Sequence, residues 1–429
     1  MQSPTQFESP IGAATGRVRI SAPTIVLSLL CVMYLILFID RVNIATAAPL
    51  IKIDLHLSNT QMGLVFSAFA VSYAVFQLLG SWIGDRFGPR LILTVCCAIV
   101  GVATILTGVA GGFVSLIAAR LALGLGEGAA FCTATRAMSI WLPVGKRGFA
   151  QGITHSFAHI GNALTPVLMV ALFALITWRG SFVVMGAASI VWLVAWAWYF
   201  RDDPRKHPAI TRADLAALPI RTVGVRPSVP WLRLARRILP VTAVDFCYGW
   251  TLWLFTSWIP TFFLENYHLN LKSSAMFTSG VLFAGVVGDT VGGVLSDRLL
   301  RKTGSLVIAR RTVIVGGFLG AFVFMLPVVL IHDLKTAAVC LSLAFFCAEL
   351  IVAPIWSVPI DIAPRYAGTA SGMMNTGFAI AGLISPSSFG YLVDLTGSWV
   401  IPFIASIVLL FCGAILALRL RPDKPFEEL

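Results

Sequence analysis

The sequence predicts an all-α membrane protein whose twelve transmembrane helices form two pseudo-symmetric six-helix bundles. Three observations predict it: a composition too apolar for water, twelve apolar windows in two sets of six, and a short motif found once in each half. Of 429 residues, 58% are hydrophobic and only 12% charged, against about 25% charged in a soluble domain. Too little polar surface remains to coat a soluble fold. This excludes a soluble enzyme, a nucleic-acid-binding module and a disordered scaffold.

A bilayer crossing takes about 20 apolar residues, and windows of that order recur along the chain. In the first half they fall at 22–48, 60–83, 91–108, 113–139, 149–172 and 181–200. In the second they fall at 238–263, 274–297, 312–331, 336–357, 366–392 and 399–418. Arg17 and Arg19 precede the first run as they would in a secretory signal, but Ala22–Ile39 is too long for a signal core and continues to Leu50. It reads as a retained first span. Between the sets, Arg201–Arg237 carries five prolines and nine Lys/Arg against three Asp. Such a stretch cannot span and reads as a solvated linker. The predicted units are therefore a terminal segment 1–21, a bundle 22–200, a linker 201–237, a second bundle 238–418 and a tail 419–429.

The net charge is +12, and its distribution explains it. Only Lys52, Arg179, Lys272 and Lys335 fall in loops opposite the linker, and Arg41, Arg120 and Arg136 fall within spans. The remaining 24 of the 31 basic residues lie on the linker's side or in the termini. The positive-inside rule then puts both termini and the linker in the cytoplasm of a cell with this protein in its inner (plasma) membrane. No nucleic-acid partner is needed to account for the charge. The eight cysteines form no CxxC pair and read as small buried hydrophobes.

After the second window comes Gly80-Ser81-Trp82-Ile83-Gly84-Asp85-Arg86-Phe87-Gly88, and after the eighth comes Gly292-Gly293-Val294-Leu295-Ser296-Asp297-Arg298. In each, a small residue precedes an Asp-Arg pair by four positions, allowing close helix approach beside a carboxylate. An ordinary basic turn accounts for one copy. Two copies at equivalent places point to duplicated bundles and to Asp85, Arg86, Asp297 and Arg298 as gating residues.

With these motifs the chain resembles the major facilitator superfamily, and finer features resemble its anion:cation symporter family. Those features are Asp40-Arg41, Arg120 with Gly124-Leu125-Gly126-Glu127-Gly128, Arg201-Asp202-Asp203-Pro204, Trp258-Ile259-Pro260, and Gly372…Asn375-Thr376-Gly377…Gly382…Pro386. Ser81 departs from the Gly usual in relatives, but is small enough to keep the packing. The resemblance implies uptake of organic anions such as sugar acids, dicarboxylates or aromatic acids, generally with protons.

Ionisable groups in a bilayer cost about 2.5–3.5 kcal/mol each even on lenient scales, so each is a functional candidate. Arg120 and Glu127 are seven residues apart and share a helix face. Asp40 and Arg41 are neighbours pointing about 100° apart, free to serve different partners. A substrate anion competing for an Arg would release the acid to take a proton. The resemblance supplies roles: Asp40 and Glu127 titrate, Arg120 couples them, and Arg41 meets the substrate carboxylate. The Gly124–Gly128 stretch is not a dinucleotide fingerprint, because no strand precedes it; close helix packing is the better account. Arg136 reads as snorkelling to the interface.

Other positions line the expected cavity. Tyr73 matches a family position that touches substrate, and a packed aromatic is the alternative. Asn375 suits either substrate hydrogen bonding or helix–helix contact. His155, His159 and Asn162 share one face; they read equally as a substrate-binding face or as a buried His–Asn network. No metal site is expected, because no carboxylate or Cys near the two His completes one. Trp258 and Trp253 read as interfacial aromatics, whereas Trp250 and Tyr248 lie deeper and suit stacking on a flat substrate. Asp245 and Asp289 read as lying near linker-side ends, and Glu349 has no assigned place.

The expected activity is import of an organic carboxylate by proton symport through alternating access. The protein is expected to work as a monomer in the lipid bilayer, with protons as coupling ion and no cofactor. A proton-coupled drug exporter of the same fold is one alternative; Gly161-Asn162-Ala163-Leu164-Thr165-Pro166 lacks the double Gly of that class. A transporter-like nutrient sensor is another. No enzyme motif of the GxSxG, HExxH or Walker type occurs.

Overall fold

In the computed structural model the described residues are 21–143, 146–218 and 229–426, without the side chains of 78–85, 148, 365 and 367. The terminal segment's Arg17 and Arg19, and the side chain of Asp85, lie outside them. The described residues form α-helices joined by short turns. The first half comprises α1 (Ala22–Leu55), α2 (Asn59–Phe87), α3 (Pro89–Gly108), α4 (Phe113–Trp141), α5 (Arg147–Leu175) and α6 (Trp178–Tyr199). The linker carries a 3-10 turn at Pro204–Lys206 and a short α7 (Arg212–Ala217). The second half comprises α8 (Trp231–Asn266), α9 (Leu271–Thr303), α10 (Leu306–Leu330), α11 (Leu334–Glu349), α12 (Val352–Ile362), α13 (Ala367–Thr396) and α14 (Ile401–Ala417).

Ten helical stretches among the described residues are long and apolar enough to cross a membrane, α11 and α12 counting as one, and α14 is a shorter apolar helix. With α2, twelve helical passes correspond to the twelve windows. The exposed faces suit lipid: on α3, Leu91, Val95, Val102 and Leu106 are exposed along one stripe at helical spacing.

Two predicted boundaries move. Helix α8 begins at Trp231, inside the stretch read as linker, because Leu234 and Ile238 bury one face while the arginines between them stay outward. The tenth pass is broken rather than continuous. Pro354 has no N–H to donate to the Leu350 carbonyl, so α11 stops at Glu349 and α12 restarts at Val352. That carbonyl lies against Gly292 of α9, where a Cβ would overlap it.

The packing repeats. In the first half α1 packs on α5, α2 on α4, and α3 on α4 and α6; in the second α8 packs on α13, α9 on α11, and α10 on α11 and α14. These are the same pairs displaced by six passes. Between halves, α2 meets α13 and α5 meets α9, which exchange under the same two-fold relation, and α1 meets α8. Glycines allow these approaches: a Cβ on Gly128 would stand 2.9 Å from the Phe76 Cβ on α2, and one on Gly126 would stand 2.8 Å from the Cys96 carbonyl on α3. The GxGEG stretch is thus a packing device.

Candidate functional site

Asp40 and Arg41 follow each other on α1, so their side chains diverge. Asp40 is 1% exposed and turns into the first half. Its Oδ2 accepts from Ser189 Oγ of α6 at 2.9 Å, and its Oδ1 from Asn43 Nδ2 at 3.3 Å. Arg41 turns to α4, where Nε and one terminal nitrogen donate to Glu127 Oε2 at 3.1 and 2.6 Å. Glu127 is fully buried, and its Oε1 has no partner among the described residues.

The Arg41 guanidinium is sleeved by aromatic rings, with the centroids of Phe38, Phe69, Tyr73 and Phe131 at 4.6, 5.1, 5.0 and 5.6 Å. Such rings stabilise a cation where water is excluded. The Arg120 guanidinium also lies against Phe69, 5.2 Å from its centroid. It is 3% exposed, and its terminal nitrogens reach only the backbone carbonyls of Asp40 and Arg41, each at 3.4 Å. Among the described residues no carboxylate pairs with it, and its Nε has no partner. The shared face of Arg120 and Glu127 is therefore not a pair; Glu127 takes Arg41 instead. Sequence reading missed Phe38, Phe69 and Phe131, whose only signal was aromatic residues near the charged positions on α1, α2 and α4.

The second half approaches through Trp253 of α8, whose ring centroid is 5.9 Å from that of Phe69. Its indole nitrogen donates to the Phe378 carbonyl at 3.2 Å. Trp258, expected at a membrane interface, is fully buried: its indole donates to the Pro386 carbonyl at 3.0 Å and its ring meets Phe66, Phe389 and Trp399. Trp250 is half-buried, with Phe246 beside it at 6.1 Å. Asn375 is buried on α13.

The chain also matches known proteins. The model of the Major Facilitator Superfamily matches residues 30–386. The chain belongs to the major facilitator superfamily. Among similar proteins, the "Probable sulfoacetate transporter SauU" of Cupriavidus necator is 48% identical over 418 residues, covering 96% of this chain and 97% of that one. The D-galactonate transporter of Escherichia coli is 29% identical, covering 90% and 92% of the two chains. The hexuronate transporter of Bacillus subtilis is 28% identical, covering 84% and 86%. Among solved structures, an inward-facing, unoccupied bacterial homologue of the human lysosomal transporter Spinster superposes with a TM-score of 0.76. It is 17% identical and covers 92% of this chain and 96% of its own.

In this superfamily member the ends of the bundles are tied by polar contacts. Opposite the linker, Asp394 of α13 accepts from the backbone and side chains of Asn59 and Thr60, with distances of 2.6–3.2 Å, and so caps α2 from the other half. Lys52 pairs with Glu265 at 2.8 Å and also bonds Asn59. At the linker end, Arg310 of α10 donates to Asp361 of α12 at 3.0 Å and to Ser296 at 2.8 Å, and lies 3.6 Å from Asp297. Arg298 is exposed, and the Arg86 guanidinium lies 5.8 Å from the Phe87 ring. In the first copy of the motif, Gly88 holds φ +85°, which favours glycine, and a Cβ there would stand 2.9 Å from the Asp202 carboxyl. Asp202 accepts from the Arg90 amide at 2.9 Å.

His159 of α5 and Asp289 of α9 also meet across the two halves, at 3.0 Å. Asp289 therefore lies at the crossing of α5 and α9, not in a linker-end gate, because α9 runs on to Thr303. Asp245, fourteen residues into α8, is likewise deep and 1% exposed. Glu349 is buried at the break after α11 and accepts from the Tyr248 hydroxyl at 3.1 Å. Among the described residues no three metal-ligating side chains gather.

Proposed function

We propose that this protein is a secondary active transporter that imports a small organic anion with protons by alternating access. The observation that carries this reading is the Arg41–Glu127 pair inside its aromatic sleeve, beside an Arg120 that forms no ion pair among the described residues. A substrate carboxylate that engages Arg41 displaces Glu127, and a displaced carboxylate in so apolar a place is stable only with a proton. Anion and proton then bind together. Asp40 is the second proton site, and Arg120 attracts the anion and links the two acids. Tyr73, Trp250 and Asn375 shape the cavity around the substrate.

Relatives named for sulfoacetate, hexuronate and galactonate support an organic acid anion as cargo. Sulfoacetate is the first to test, given the 48% identity. Carrying one negative charge against an inside-negative potential costs about 2.3 kcal/mol per 100 mV. A dianion thus needs two protons to enter neutrally, which Asp40 and Glu127 supply. The charge asymmetry of the loops supports a location in the inner membrane with termini and linker cytoplasmic. The working form is a monomer without cofactor.

The test is uptake into proteoliposomes of the purified protein, offering sulfoacetate, hexuronate and galactonate under an inward acid gradient. Accumulation of one of them that collapses when the gradient is dissipated is expected. Indifference to all three, or accumulation blind to the gradient, overturns the reading.

A further inference from the structure

A second group of titratable side chains, with Glu349 buried and His159 and Asp289 half-buried, lies where α5 meets α9, apart from Asp40 and Glu127. The His159–Asp289 contact joins the two halves. Behind it, Glu349 lies against α9: a Cβ on Gly285 would stand 2.9 Å from its Cγ, and one on Gly288 3.1 Å from its Cβ. Its Oε1 accepts from Tyr248, and its Oε2 is buried without a partner among the described residues. Asp245 Oδ2 is likewise buried and unpartnered.

The charges around this group differ in kind from those around Arg41. Helix α5 contributes His155 and His159, α8 contributes Asp245 and Tyr248, α9 contributes Asp289, and α11 contributes Glu349. Glu349 is within electrostatic range of both His159 and Asp289. Helices α10 and α12 bring Arg310 and Asp361, which are paired to each other at the linker end. Helix α1 brings Tyr34, whose ring centroid is 5.7 Å from that of His155, while its Asp40 and Arg41 face α6 and α4. Among the described residues, the carboxyls of Asp289 and Glu349 therefore face His159, and no Lys or Arg pairs with either of them. Acids so placed stay in lipid only by carrying protons or by pairing with an imidazolium.

We infer that Asp289, His159 and His155 form a second proton pathway across the interface between the halves, with Glu349 as its positioning residue. The inference rests on the proton coupling proposed above. The His159–Asp289 bond spans the halves, so it parts when they rock open opposite the linker. Asp289, then unpaired, takes one proton from the outer solution. On closure that proton passes to His159 Nε2, leaving a carboxylate beside an imidazolium. His155 lies one turn nearer the linker end on the same face and is exposed. It receives the proton from His159 and releases it to water on the linker side. Glu349, fixed by Tyr248, is the acid that faces His159 while the positive charge resides there.

The test measures protons moved per anion, from the reversal potential of sulfoacetate flux in proteoliposomes of the full chain. Asp289→Asn and His159→Gln are expected to move one proton fewer per anion than the wild type, and Glu349→Gln to shift the pH profile of the flux. His155→Asn is expected to keep the ratio while slowing proton arrival inside. As a check that needs no transport, sulfoacetate binding to the purified protein at constant pH should be accompanied by uptake of about one proton fewer in Asp289→Asn and in His159→Gln than in the wild type. An unchanged ratio and unchanged proton binding in Asp289→Asn and His159→Gln overturn the inference and leave the proposed function standing. Wild-type sulfoacetate flux without any proton movement overturns both.

Discussion

Two nitrogens of Arg41 converge on a single oxygen of Glu127, Oε2, at 2.6 and 3.1 Å, while the second oxygen of that carboxylate has no partner among the described residues. A guanidinium matched to a carboxylate makes two parallel bonds to two oxygens. This pair is held by one oxygen only, so it is a contact that a competing anion can replace. The first two predictions follow from it.

Glu127→Gln keeps a carbonyl oxygen for Arg41 but carries no exchangeable proton. Sulfoacetate accumulation driven by a pH gradient is expected to fall to the level of equilibration, while counterflow exchange persists. Gradient-driven accumulation at the wild-type level would remove Glu127 from the coupling step.

Arg41→Lys keeps the positive charge but loses the planar fork and its contacts with Phe38, Phe69, Tyr73 and Phe131. The apparent substrate constant is expected to rise by about tenfold or more, equivalent to about 1.4 kcal/mol. Initial-rate uptake over a range of sulfoacetate concentrations measures it. A constant within twofold of the wild type would place the substrate elsewhere.

Asp394→Ala removes the cap that α13 places on the first turn of α2. Loss of such a cap costs about 0.5–2 kcal/mol, which shifts a two-state balance about 2- to 30-fold. The population open opposite the linker should therefore grow. Spin labels on the α1–α2 and α13–α14 turns report it as a longer distance component. Distance distributions identical to the wild type would mean that the cap does not hold that end closed.

His207 lies in the linker, buried against Trp141 and Tyr199. Its Nε2 faces the Tyr199 carbonyl at 3.0 Å and its Nδ1 accepts from the Ala209 amide at 3.2 Å. This arrangement suits the neutral ring, and burial holds its pKa below the ordinary histidine value, with Arg201 adding to the effect. A lowered histidine contributes fully above its unfolded value, 6.5, and loses its contribution as pH falls from there towards the folded value. Hydrogen exchange at Ala209, corrected for intrinsic pH dependence, should therefore show protection at pH 7.5 that weakens by pH 5.5. Equal protection at both would mean that protonating His207 does not loosen its bond with Ala209.

The passes themselves were legible because hydropathy alone separates lipid-facing helix from loop, and the two Asp-Arg motifs exposed the duplication. Depth within a helix was not. Windows end where polar residues begin, but α8 starts seven residues before its window and α9 runs six beyond its own, so Asp245 and Asp289 sit deeper than their windows implied. Within the candidate site, the types and depth of Asp40, Arg41, Arg120 and Glu127 could be read, but not their pairing. Glu127 is 86 residues from Arg41, and choosing between two arginines depends on helix rotation, which no local pattern encodes. His159 and Asp289 are a harder case, because their contact exists only once two separately folded halves meet.

One asymmetry separates otherwise matching bundles. The fourth pass, α4, is a single rod of 29 residues, whereas its counterpart in the second half is jointed at Leu350–Ile351, with α12 contributing only 11 residues beyond the joint. A rod must tilt whole, and a jointed helix can flex at its elbow while its upper segment stays still. Of two look-alike lobes, one has an unbroken fourth pass and the other carries a short arm beyond an elbow, latched by Arg310 to Asp361.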